Sequence, residues 1–191
     1  MGFVLLAVLA LVAVWVIGAY NGLIALQNQV ANTWKQIDVQ LKRRHDLIPN
    51  LVNAVKGAME HERGTLEAVI SARNKAVAAQ GVAATAKAEG ELTAALGRLF
   101  ALAEAYPQIQ ATGNVRELQE ELASTENRVA YSRQLYNDVA TQYNTKQAQF
   151  PTNLIAGLAK ATPAELWQID DAAERAVPKV DLSARPPAPP A

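Results

Sequence analysis

The first 34 residues of the chain contain no Asp, Glu, Lys or Arg, and its first charge is Lys35. Within that stretch Met1–Ala19 has no strongly polar side chain at all. As a helix those residues are about 28 Å long, close to the thickness of a bilayer's hydrocarbon core. Trp15 and Tyr20 stand toward the C-terminal end, where amphipathic rings favour the headgroup region. The expectation is a retained single-span anchor over residues 1–20, with Phe3, Leu5, Leu9, Val12, Trp15, Ile17 and Tyr20 among its lipid-facing side chains. Two other readings are weaker. A cleaved signal peptide lacks its basic n-region here and would place Ile17 where a small residue is needed. A buried core helix would require a cover for a surface apolar all round, and the rest of the chain offers none.

Orientation rests on Lys35, Lys42, Arg43 and Arg44, which all follow the span. By the positive-inside rule they leave the N-terminus outside and place the body in the cytoplasm. The Lys42-Arg43-Arg44 cluster begins at the edge of the window in which such charges count, so a periplasmic body is the alternative. If the helix continues straight, Lys42 lies about 33 Å beyond Tyr20, several Debye lengths from the lipid. The cluster is then not a lipid-headgroup clamp.

After the span, Leu23, Leu26, Val30, Trp34, Ile37 and Leu41 recur at helical spacing. Around Arg44–Pro49 two accounts stand: a new helix starting near Leu47, capped by Asp46, or one kinked continuous helix. The stripe resumes with Ile48, Val52, Val55, Met59, Leu66 and Ile70 and is expected to run to Ala79, with Gln80-Gly81 as its stop. Leu92, Leu96, Leu99 and Leu102 mark a third helix ending at Tyr106-Pro107. Val115, Leu118, Leu122, Thr125, Val129, Ser132, Tyr136, Val139 and Tyr143 then step three and four residues throughout. That sustained heptad pattern predicts a long helix packed at a shallow angle, ended by Pro151. Thr162-Pro163-Ala164-Glu165 reads as a capping box opening a short helix from Leu166 to about Ala176. Arg185-Pro186-Pro187-Ala188-Pro189-Pro190-Ala191 reads as extended polyproline. The fold class is therefore all-α: an anchor over 1–20, a helical stalk and elongated antiparallel bundle over 21–151, a segment with a short helix over 152–178, and a Pro-rich tail over 179–191.

Chemistry is sparse. With no Cys there is no disulfide, thiolate nucleophile, Cys-based zinc site or iron–sulfur cluster. Eighteen basic residues balance eighteen acidic ones, so nothing draws nucleic acid in bulk. His45 and His61 are 16 residues apart, and Glu60-His61-Glu62 places neighbours on different helix faces rather than around one metal. Ser71, Ser124, Ser132 and Ser183 lack a nucleophile elbow, and the glycines form no phosphate cradle. Glu117, Glu120 and Glu121 suit the N-terminal dipole of the long helix, while Asp170, Asp171 and Glu174 make an acidic patch near the C-terminus. Of Tyr131, Tyr136 and Tyr143, two fall on the apolar stripe and read as core rather than as a stacking platform. Neither an enzyme, nor a cofactor, nor a metal is expected.

Together, several stretches resemble the LemA family of bacterial membrane proteins. They are Tyr20-Asn21, Trp34, Gln36 through Arg44, Asp46 through Val52, His61-Glu62, Thr65-Leu66-Glu67, Ala72-Arg73, Glu104 with Tyr106-Pro107, Leu118-Gln119, Glu121-Leu122, Thr125-Glu126-Asn127-Arg128, Tyr136-Asn137, Tyr143-Asn144 and Phe150-Pro151. The ordered set covers residues 20–151 nearly continuously. The resemblance implies a single-pass anchored helical bundle with a short external N-terminus, and supplies no substrate. The chain departs from the family after Pro151, where Leu166-Trp167 stands in place of a more aromatic run.

The expected role is a membrane-anchored helical scaffold that organises partners at the inner membrane. The apolar stripes exceed what three helices must cover, which predicts self-association of copies. The alternative is an adaptor presenting clients to an envelope protease or another membrane enzyme. The candidate interaction surface is Lys42, Arg43, Arg44 and Asp46 with Glu126, Asn127 and Arg128. These groups serve either as an internal helix-to-helix ion-pair network or as a docking face.

Overall fold

The computed structural model describes residues 1–57, 59, 61–106 and 113–168. Helix α1 runs unbroken over Gly2–Lys56, 55 residues and about 82 Å. Helices α2 (Arg63–Ala78) and α3 (Val82–Ala103) form a hairpin turned at Gly81, whose φ of +82° is the left-handed region that glycine enters without steric cost. Helix α4 (Gly113–Ala148) returns antiparallel along α1, and the single turn α5 (Asn153–Ala156) packs back against both. No strand occurs among the described residues.

The stripes behave as their periods require. Every stripe position of α4 is at most partly exposed, from Val115 at its start to Tyr143 near its end. Three apolar layers follow one another along the bundle. At the far end Ile48, Leu51, Val55, Leu66, Val69, Leu92, Leu96 and Leu99 form the largest. Ile37, Leu41, Val129, Tyr136 and Trp167 make the middle layer, with Trp34 packed against it. Leu23, Tyr143, Ala156 and Ala159 make the layer nearest the N-terminal segment.

Three sequence expectations are revised. Of the two accounts around Arg44–Pro49, the continuous helix is the one adopted, because a neighbouring helix replaces the bond that proline removes. Pro49 has no N–H to give the His45 carbonyl four residues back, and the Arg73 Nε of α2 donates to that carbonyl at 3.3 Å. Replacing Arg73 with Ala is expected to cost about 1–3 kcal/mol, by leaving that carbonyl unsatisfied. In a Pro49→Ala background, where the helical N–H is restored, the cost shrinks. A double-mutant cycle of chemical denaturation checks this, and equal costs in both backgrounds would refute it.

The second revision is that the helix expected to run to Ala79 ends at Lys56 and restarts at Arg63. In α2 the buried residues are Leu66, Val69, Ala72 and Ala76, so Leu66 keeps its expected place while Val69 takes that of Ile70, which lies 43% exposed. The third concerns Thr162–Glu165, which opens no helix over its described extent. Residues 161–168 form no helix, for reasons that belong to the site below. The rest of that expected helix, the Asp170, Asp171 and Glu174 patch, and the Pro-rich tail lie outside the described residues.

Candidate interaction site

Arg44 sits where the far and middle apolar layers meet, and it is 4% exposed. A guanidinium taken that far from water is tolerable only if its donors are filled. Its Nη1 donates to Glu89 Oε2 of α3 at 3.0 Å, and its Nη2 donates to Thr93 Oγ1 at 2.9 Å. The same Nη2 lies 2.7 Å from Glu126 Oε2 of α4. Glu89 is equally buried, and its other oxygen, Oε1, is 2.6 Å from His45 Nε2. The carboxylate can only accept, so Nε2 carries the hydrogen of that bond. One turn of α1 therefore gathers α3 and α4 through a single buried cluster.

Beside this cluster α3 and α4 stand apart, and a cleft of about 670 Å³ opens between them. Leu96, Phe100, Leu122 and Ala123 form its apolar walls, and Arg44, Thr93 and Glu126 its polar end. Arg116 and Glu104 add a charge of each sign at its other margin. A trough with apolar walls and charged ends suits an amphipathic helix face of a partner. Among the described residues no nucleophile with an adjacent base lines it.

The other sequence candidates are dispersed. Arg43 pairs with Glu121 of α4 at 3.2 Å in an exposed bridge. Lys42 and Asp46 pair with each other one turn apart at 3.1 Å, both well exposed. Exposed pairs of this kind contribute about 0–1 kcal/mol. Asn127 and Arg128 are exposed and line, with Gln40 and Tyr131, a separate shallow depression. Of the candidate group, only Arg44 and Glu126 meet at the cleft. Glu89, Thr93 and His45 were not singled out for it. Of the two Glu in Ala-rich α3, Glu89 falls on the face of Leu92 and Leu96, and that was the available signal, since a charge on an apolar stripe needs a buried partner.

A second polar arrangement holds residues 161–168 against α4. Asn137 and Asn144 each make two hydrogen bonds to this strap. Asn144 Nδ2 donates to the Ala164 carbonyl at 2.8 Å and its Oδ1 accepts from the Ala164 N–H at 2.7 Å. Asn137 does the same with Trp167, at 2.9 and 2.8 Å. Seven helical residues rise about 10.5 Å and three extended residues span about 10 Å, so the two spacings coincide. That match, with Gln147 donating to the Ala161 carbonyl and Tyr136 to the Glu165 carbonyl, selects extended chain over helix. Burial, with Glu165 beside it, pushes the Tyr136 phenol up and keeps it a donor. The Trp167 ring lies 5.9 Å from that of Trp34, and Arg133 stands 5.7 Å over it. Asn144→Ala should cost about 1–3 kcal/mol of strap attachment, as two backbone groups lose their partners. Faster proteolytic cleavage near residue 164 reads this out, and an unchanged cleavage rate would count against it.

Comparison with known proteins places this architecture. Magnetosome protein MamQ 2 of Paramagnetospirillum magneticum is 27% identical over 175 residues, covering 78% of this chain and 64% of the relative. Magnetosome protein MamQ of Magnetospirillum gryphiswaldense is 26% identical over 163 residues, covering 72% and 60%. Protein LemA of Metamycoplasma hominis is 26% identical over 142 residues, covering 73% and 64%. The chain thus spans 60 to 64% of the length of these relatives. The LemA family profile matches residues 33–182, across the stalk, the bundle, the buried Arg44 cluster and the strap, and the chain belongs to the LemA family.

Proposed function

We propose that the protein is a membrane-anchored scaffold, not an enzyme, that holds a helical bundle at a fixed distance from a bacterial inner membrane and offers the α3–α4 cleft to a protein partner. One observation carries this reading: the apolar N-terminal segment, whose most hydrophobic window is wholly uncovered, and the bundle element bearing Arg44 are one continuous helix. A load or partner on the bundle is therefore coupled to the membrane without a flexible joint. The positive-inside argument supports a cytoplasmic bundle and an external N-terminus. The apolar stripes of the body are largely covered within the single chain, so self-association falls to the N-terminal helix, whose apolar surface is free.

The test is a photo-crosslinking side chain at Phe100, in the cleft wall, in the full-length chain in bacterial cells. A stoichiometric adduct with a different protein supports the docking role. Adducts only with a second copy would reassign the cleft to self-association, and no adduct would overturn its use as a docking face. Sidedness is read separately. The chain has no native cysteine, so a cysteine at Ser183 or Ala191 can be probed with an impermeant maleimide in intact cells. Protection until lysis fits a cytoplasmic bundle, and labelling once the outer barrier is permeabilised fits a periplasmic one.

A further inference from the structure

Outside the N-terminal segment, the large apolar side chains left exposed among the described residues are mostly scattered, and three are not. Phe150, Leu154 and Leu158 are 79%, 68% and 74% exposed; the four-residue spacing of Leu154 and Leu158 puts these two along one side of the turns around α5, and Phe150 stands exposed just before them. The opposite side of the same turns is buried, with Ile155, Ala156 and Ala159 against the bundle. Ala156 and Ala159 pack with Leu23, three residues after Tyr20 and so only about 5 Å further along α1. The exposed row therefore lies beside the place where the apolar run of α1 ends.

We propose that Phe150, Leu154 and Leu158 form a second membrane contact, a shallow foot inserted in the bilayer interface next to the span. This inference rests on the anchor reading above and adds to it a residue set far away in sequence. Three arguments favour a lipid surface as the occupant. The row is continuous in space with the end of the span, so the anchor itself brings it to the interface. Three side chains of on the order of 150–200 Å² each fall short of the roughly 800 Å² per partner that a stable protein interface needs, whereas lipid requires no matching surface. The charges also agree: residues 139–164 contain no acid, and their only charges are Lys146 and Lys160, both exposed. Such stems lie along apolar surface and carry their ammonium groups to headgroup phosphates. A foot of this kind sits about 5–10 Å into the headgroup–acyl boundary. With two contacts α1 can no longer rotate freely about its axis, so the cleft would face a fixed direction along the membrane.

The experiment uses the full-length chain reconstituted in phosphatidylcholine–phosphatidylglycerol vesicles, with an environment-sensitive fluorophore on single cysteines. The test variants are Phe150→Cys, Leu154→Cys and Leu158→Cys. The controls are Tyr131→Cys and Val77→Cys, which are exposed elsewhere on the bundle, and Leu11→Cys within the span. Spin-labelled lipid is expected to remove most of the fluorescence at 150, 154, 158 and 11, and little at 131 or 77. Emission at the three test sites that responds only to an aqueous quencher would overturn the foot while leaving the anchor intact, provided position 11 is quenched by lipid. Shielding from both quenchers that disappears on dilution into excess lipid would reassign the row to a second copy. Failure of lipid quenching at position 11 would overturn both readings.

Discussion

Replacing Glu89 with alanine is expected to destabilise the bundle by about 3–5 kcal/mol, the usual cost of stranding a buried charge. Arg44 and Glu89 have side chains 4% and 5% exposed, so the guanidinium cannot recover the lost partner from water without opening the structure. Glu126 remains 2.7 Å from Nη2, but it does not replace the acceptors that Glu89 supplies to Arg44 Nη1 and to His45 Nε2. The double variant Arg44→Met with Glu89→Leu removes both buried charges at similar volume and should recover part of the loss, because Glu126 and His45 still lose their partners. Glu91→Ala, two residues from Glu89, breaks only an exposed bridge to Lys75 and should cost no more than about 1 kcal/mol. Chemical denaturation of the full-length chain in micelles, followed by circular dichroism, separates the three. A Glu89→Ala variant as stable as the parent would mean that the cluster does not hold α3 to α1.

Trp167→Ala is expected to weaken the strap by about 3–5 kcal/mol, the range for truncating a buried large aromatic. Trp167 is 4% exposed, closes the middle layer over Trp34 and Tyr136, and anchors the second asparagine clamp through its own backbone. Because that energy is concentrated at the end of an otherwise thin segment, the variant should release residues 161–168 while the four long helices stay folded. Rapid proteolysis within the strap together with unchanged helical circular dichroism is the expected result. Global unfolding instead would show that the strap is part of the cooperative core. Conservative Trp167→Phe, which keeps the ring contact, should retain most of the attachment.

The helices were readable because their signal is local. Leu23 through Leu41 and Val115 through Tyr143 repeat at three and four residues, and such a stripe is buried whichever helix covers it. The same locality explains what was misread. Ile70 continues the stripe arithmetically, yet in α2 Val69 packs inward beside Leu66 and Ile70 is left outward. Thr162-Pro163-Ala164-Glu165 carries a helix-opening pattern, but nearby asparagine side chains satisfy its backbone at extended spacing. A capping box contributes about 1 kcal/mol, which several hydrogen bonds and a buried tryptophan exceed.

The candidate site was half legible for a similar reason. Arg44 stood out within a basic cluster, and its neighbours Lys42 and Arg43 looked equivalent to it in sequence. One step along a helix rotates a side chain by about 100°, so a single member of such a run points inward while the next points to water. Glu89 and Thr93 lie 45 and 49 residues from Arg44, and no local pattern ties them to it. The family resemblance and the all-helical class were present in the sequence, as was an N-terminal segment long and apolar enough to cross a membrane, because each depends on residue order alone. Which charge is buried, where the cleft opens, how the C-terminal strap runs and which apolar residues are left facing outward were decided by the tertiary structure. Those outcomes depend on how helices distant in sequence pack side by side, and packing energies between distant segments outweigh the small conformational preferences that a local pattern encodes.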